Sequence, residues 1–266
     1  MSQKQENIYR QIQEAINNLP DNFSILEEQI DVELQIEYFN FVKDIKNEFT
    51  PEYILAHQQD LFDENIPVEE KKNLLVLLAS VNKVEAYRTI EKYAKSPDPA
   101  LKGWSVLALQ ESRMLLQSTL LDEQQVFIST GLGGQGQNLR YFAILRSRNY
   151  DIEFTKTQKR LIKSELSFSI KKYNGTAEEI KFEDGFVKVL FLIPLKSDIQ
   201  AMFRSFIDEC NQYGNFLDED VIITNVKKLK TKEIRDFLAN SPKEQEENEN
   251  DDEENYYNYE NDDDDE

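Results

Sequence analysis

Apolar residues recur at three- and four-residue steps from Gln3 to Asn18, and again from Ile25 to Glu48 through Ile25, Leu26, Ile30, Leu34, Ile36, Tyr38, Phe39, Val42 and Ile45. This spacing predicts two helices separated at Pro20 and Asp21. Thr50, Pro51 and Glu52 read as an N-cap followed by proline at the first helical position, which opens a third helix, Pro51 to Leu61. Helical patterns then run over about 68–80, 83–95 and 98–118. Asn82 closes the first of these turns. Ser96, Pro97, Asp98 and Pro99 form the second, where Pro97 blocks continuation and Asp98 caps the next helix ahead of Pro99. Connections this short imply antiparallel helices packed side by side.

The period changes after Glu123. Gln125 to Ser129 and Arg140 to Arg146 carry the β-branched and aromatic residues of strands, separated by a glycine-rich segment from Thr130 to Asn138. Phe154 to Tyr173 reads as an amphipathic helix begun by Thr155 or Thr157, with Leu161, Ile162, Leu166, Phe168 and Ile170 as its apolar set. Glu178–Phe182, Phe186–Pro194, Asp198–Tyr213 and Asp220–Val226 follow as strand, strand, helix and strand, and a short helix closes the run at Lys232 to Asn240. Glu183-Asp184-Gly185 supplies a hairpin turn, and Gly214-Asn215 ends the second long helix.

Asp98-Pro99-x-Leu101-Lys102, with Ala108-Leu109 after it, resembles the inter-repeat junction of HEAT-type helical repeats over roughly residues 66–120. That resemblance implies a short helical stack, with a plain bundle as the alternative. With Arg140–Arg146 as the first strand, the second half has the order βαββαβ, which resembles the ferredoxin-like topology of two helices on one face of an antiparallel sheet. The expected fold class is therefore α+β: a HEAT-like all-α domain at 1–122, a ferredoxin-like domain at 123–240, and a disordered acidic tail at 241–266.

Charge sharpens this division. From Pro242 to Glu266 there are fourteen acids against the single Lys243, with Tyr256, Tyr257 and Tyr259 among them, a composition that cannot offset its own repulsion by packing. Residues 1–125 carry net −10 and residues 126–241 net +3, within a total of −20. The summed field repels phosphate, so nucleic acid and anionic lipid are unlikely partners of the whole molecule. One cysteine, Cys210, excludes an internal disulfide or a cysteine-built zinc site and suits a reducing compartment. The polar N-terminus lacks a signal-peptide core, and no apolar run is long enough to span a bilayer, so the expected location is the cytoplasm.

Candidate chemistry is sparse. Gly131, Gly133, Gly134 and Gly136 could turn backbone N–H groups around an anion with Arg140 at hand, although the segment matches neither a Walker A loop nor a dinucleotide fingerprint. The lone His57 cannot build a multi-histidine metal site, Cys210 falls at core spacing with Phe203, Phe206 and Ile207, and the paired acids read as solvated turns. Trp104 on the repeat-like helix packs against the preceding helix pair or, if exposed, marks a partner contact, and Tyr256, Tyr257 and Tyr259 in the tail are candidate partner contacts. Lys156, Lys159, Arg160 and Lys163, then Lys171 and Lys172, put positive charge along one helix, which the acidic tail could fold back upon.

No nucleophile, base, metal set or cofactor loop stands out. The expected function is a non-catalytic adaptor or scaffold, not an enzyme, without cofactor, whose tail contacts a protein partner with a basic surface or its own basic helix. The alternative is a regulatory domain that binds a small anionic ligand or nucleic acid through the glycine loop and nearby arginines.

Overall fold

The computed structural model of the chain describes residue 16, residues 19–20, 23–45, 49–123, 126–149, 152–183 and 185–240, with side chains to 237. The helix expected from Gln3 to Asn18 and the acidic tail lie outside the described residues, apart from Ile16. The fold is mixed α+β. Residues 1–228 form one compact unit and residues 229–266 a second.

The first unit begins with strand β1 (Phe23–Ile25), followed by helices α1 (Val32–Ile45), α2 (Pro51–Ala56), α3 (Val68–Ala79), α4 (Val84–Ala94) and α5 (Lys102–Leu121). The helix expected from Ile25 is corrected: it starts at Val32. Asp31 supplies the cap, its carboxylate accepting from the Glu33 N–H at 2.8 Å, while Phe23–Ile25 pair in parallel with β2 (Val126–Ile128). A partner strand 103 positions away in sequence, with Phe23 opposite Val126, outweighs local helical spacing. The other caps follow the sequence. Thr50 accepts from the Tyr53 N–H, and Asp98 from the Ala100 N–H at 2.9 Å, where one turn of 3-10 helix (Pro99–Leu101) precedes α5.

These helices enclose a core of Tyr38, Leu61, Leu75, Leu78, Ile90, Leu101 and Trp104, each at most 3% exposed. Burying a side chain of this kind stabilises by about 1.5–3 kcal/mol. Tyr38 donates its hydroxyl to Glu111 Oε2 at 2.7 Å, and burial, then the Glu111 carboxylate, raises its pKa well above the usual tyrosine value.

The second core lies under a five-stranded sheet of β3 (Gly134–Gln135), β4 (Asn138–Arg146), β5 (Thr176–Glu183), β6 (Phe186–Pro194) and β7 (Ile222–Thr224). Its order is β3-β4-β6-β5, with β7 also on β4, and every pairing is antiparallel. Alternation places Ala143, Leu145, Val187, Val189, Phe191 and Ile193 on one face, against α6 (Lys156–Lys172) and α7 (Ile199–Asn211). α6 opens with a capping box between Thr155 and Gln158, and Asp198 caps α7 by accepting from the Ala201 N–H. Phe23 and Ile25 pack with Leu139 and Leu195, which joins the β1–β2 pair to the sheet.

The second unit holds α8 (Thr231–Asn240), whose entry is fixed by Glu233 accepting from the Lys230 N–H at 2.7 Å. No helix among the described residues is long and apolar enough to cross a membrane.

Candidate functional site

The glycine segment is a joint between the two cores. Gly131, Gly133 and Gly134 are buried, and only Gly136 is exposed. A Cβ on Gly133 would lie 2.5 Å from the Glu27 carbonyl oxygen, and one on Gly131 would lie within the Val226 carbonyl, so both glycines permit backbone-to-backbone contact. Three of the segment's N–H groups are already used: Leu132 donates to Asn225 O, Gly133 to Thr130 O, and Gly136 to the Glu27 carboxylate at 3.3 Å. An anion placed there would meet oxygens.

The nearby arginines are engaged too. Arg140 forks onto Glu178 at 2.7 and 2.9 Å and donates to Leu132 O at 2.9 Å. Arg146 pairs with Asp218 and Asp220, and Arg148 with Glu219. Arg140 makes a bidentate, charge-assisted pair between strands, and Arg146 and Arg148 tie the end of β4 to the Asp218–Asp220 loop.

Trp104 is 3% exposed, packed on Tyr38 at 5.2 Å and Phe41 at 5.4 Å, with the Lys72 ammonium 4.1 Å from its ring. It is a core residue and offers no partner contact. Tyr256, Tyr257 and Tyr259 lie outside the described residues. His57 is half-buried, its Nδ1 2.8 Å from Tyr53 O. Cys210 is buried, and burial, with Glu165 and Glu209 behind it, pushes its thiol up to about 12. A thiol held there stays protonated at neutral pH. Among the described residues, no group of three or more His, Cys, Asp or Glu could hold a metal ion.

What the sequence placed on the wet face has more structure. α6 carries six bases, Lys156, Lys159, Arg160, Lys163, Lys171 and Lys172, against one acid, Glu165. Buried Ile162, Leu166 and Ile170 turn toward the sheet, Glu165 acts on Cys210 of α7, and the Lys159 ammonium sits 6.0 Å from the Phe182 ring of β5. The α7 side and the sheet side are thereby fixed. At 100° per residue, Lys156, Arg160, Lys163, Ser167 and Lys171 fall within an arc of about 80°, on the flank of α6 away from α7 and over β5. The row is about 22 Å long at 1.5 Å per residue. Among the described residues no carboxylate pairs with Lys156, Arg160, Lys163, Lys171 or Lys172, whereas Lys159 lies 3.5 Å from Glu153. Phe168, expected in the apolar set, is 64% exposed beside this row.

No family model and no curated protein matches the chain. Among solved structures, a protein from Deinococcus radiodurans R1 described as a transposase matches at 12% identity and a TM-score of 0.34, over 39% of this chain and 90% of that one. A REP-associated tyrosine transposase bound to a REP hairpin matches at 11% identity and a TM-score of 0.31, over 38% of this chain and 63% of its own. The expectations of a non-catalytic adaptor or scaffold, of no enzyme, and of nucleic acid as an unlikely partner are corrected on this finding: both neighbours are transposases, and one holds a REP hairpin. Likeness at this score assigns neither activity nor ligand to this chain.

Proposed function

We propose that the chain binds nucleic acid through the cationic flank of α6. The carrying observation is the row Lys156, Arg160, Lys163 and Lys171, free of carboxylate partners among the described residues, in a protein of net charge −20. Where acids are in such excess, an exposed helix with one acid to six bases is a local reversal of the field. Four cations in a row match a polyanion whose charges repeat along a strand, and each phosphate neutralised releases counterions. The exposed Phe168 ring offers a surface on which an unpaired base could stack. The ligand class is thus the alternative read from sequence, moved from the glycine loop and its arginines, which are engaged within the chain, to α6.

The fold reading is ours as well. The order β7-β4-β6-β5, with α6 and α7 on one face, supports a ferredoxin-like second half. The Asp98 cap and the antiparallel packing of α3, α4 and α5 support a short HEAT-like stack before it, and two separate cores support a module division near Glu123.

The test is fluorescence anisotropy with a labelled DNA hairpin over a salt series. Each phosphate contact adds about 0.7–0.9 to the slope of log K against log salt. Replacing Lys156, Arg160, Lys163 and Lys171 by alanine together should lower that slope by roughly 3 and weaken binding throughout. A quadruple variant with wild-type affinity and slope sinks the proposal.

A further inference from the structure

The sheet ends at β5. Its eight residues bond β6 on one side, and no described strand takes the other. A free edge of that length presents a row of unpaired N–H and C=O groups, which another strand can complete. The residues along it, Thr176-Ala177-Glu178-Glu179-Ile180-Lys181-Phe182-Glu183, also specify which strand fits.

We propose that a second copy of this chain docks on this edge, with the two β5 strands antiparallel and the two-fold axis passing at Ile180. The register within the chain fixes the faces: Glu179 opposes Leu190 and Lys181 opposes Lys188 on one face, while Ile180 opposes Val189 on the other. Opposed residues in a sheet share a face, so a symmetric pairing must centre on a residue. Centred on Ile180, Glu179 of each copy lies opposite Lys181 of the other, two attractive pairs in the stretch clear of the bulge at Glu178. Centred on Lys181, lysine meets lysine and Glu179 meets Glu183. Centred on Glu179, glutamate meets glutamate. A centre at Phe182 also alternates charge, but it would set Lys181 against Glu183, whose carboxylate is already held by Lys188 at 2.7 Å. Glu179 and Lys181 already pair with each other along the strand, their side chains 38% and 62% exposed, so a second copy would extend this pair to an alternating set of four charges across the edge. Glu178 is the extra residue where the β5 register slips, and it is turned to Arg140, which leaves Glu179 and Lys181 as the charges flanking the axis.

Such an interface is isologous, and it would set the two α6 rows on one face beside the dyad. The net charge of −20 and the adjacent cationic rows both oppose approach, so pairing should tighten as salt rises. This inference does not depend on what the α6 row binds.

Sedimentation velocity on the intact chain over a concentration series, in moderate salt, tests it. Wild type should show a monomer–dimer equilibrium. Glu179→Lys and Lys181→Glu should each weaken self-association roughly tenfold, because each sets like charges opposite across the dyad. Mixing the two single variants should restore dimers, since every cross-pair is then attractive, and the double swap should restore them within one chain. The mixture compares the same folded chains apart and together, so its recovery is not a folding effect. Overturning results are a wild type that stays monomeric at its highest soluble concentration, single variants that associate like wild type, which would place association on another surface, or a mixture that fails to recover.

Discussion

Gly133 and Gly136 hold nearly the same left-handed backbone, at φ +66° and +59°, in opposite surroundings. A methyl at 136 meets nothing within 4 Å; at 133 it would lie 2.5 Å from Glu27 O and 2.6 Å from Glu28 O. Alanine at either position incurs the left-handed penalty of about 1–2 kcal/mol. At 133 the Glu27–Glu28 backbone must also retreat by roughly 0.5 Å, an overpacking term of about 1–3 kcal/mol. Gly133→Ala should therefore destabilise by about 2–5 kcal/mol and Gly136→Ala by about 1–2 kcal/mol. Urea unfolding followed by circular dichroism reads the difference as a shift in midpoint at constant slope. Because backbone conformation is matched, the gap between the two variants isolates the wedge of the loop against residues 27–28. Equal losses would refute the claim that the glycines serve close packing.

Two further outcomes follow from the helical core. Trp104→Ala should cost about 3–5 kcal/mol by the same urea assay, since a buried ring is lost and Lys72 loses its cation–π partner; a loss below about 1 kcal/mol would mean that the ring is not core. Tyr38 titrates above its unfolded value of 10.0, so the stability tied to its proton is complete below pH 10 and lost as pH rises through the raised value. Unfolding midpoints of wild type and Tyr38→Phe, compared from pH 8 to 11, should show the wild type losing more at the alkaline end, and parallel profiles would contradict the assignment.

Local chemistry was readable wherever it was self-contained. Thr50 and Asp98 cap helices as read, and Thr155, one of two candidates, caps α6, because a cap needs only its own next three residues. β6 runs from Phe186 to Pro194 as its apolar pattern indicates, since a central strand buried on both faces announces itself by composition. Ile25 misled because a strand of three residues has no period of its own and exists only through β2, far along the chain. The glycine segment misled for a related reason. Glycine signals that backbone comes close to something, and whether that is a ligand or the Glu27–Glu28 and Val226 backbone is decided by tertiary contact. Phe168 misled likewise, since an aromatic on an amphipathic helix can be assigned a side only when its neighbours are known; Trp104, for which both packing and exposure were open, is packed.

The arrangement of cations carries the functional argument one step further. At the sheet, Arg140, Arg146, Arg148 and Lys188 each meet a carboxylate on another strand or loop, so the charges there hold strands and loops together. On α6 a similar number of cations is spent on no such task, although the chain has acids in excess to neutralise them. Exposed like charges at i and i+4 destabilise a helix by a few tenths of a kcal/mol per pair, and Lys156–Arg160, Lys159–Lys163 and Ser167–Lys171 give this helix no compensating acid at those steps. A helix that forgoes its own ion pairs while the neighbouring sheet makes them is arranged for an external anion, and the hairpin-binding slope measures how many of its cations that anion takes up.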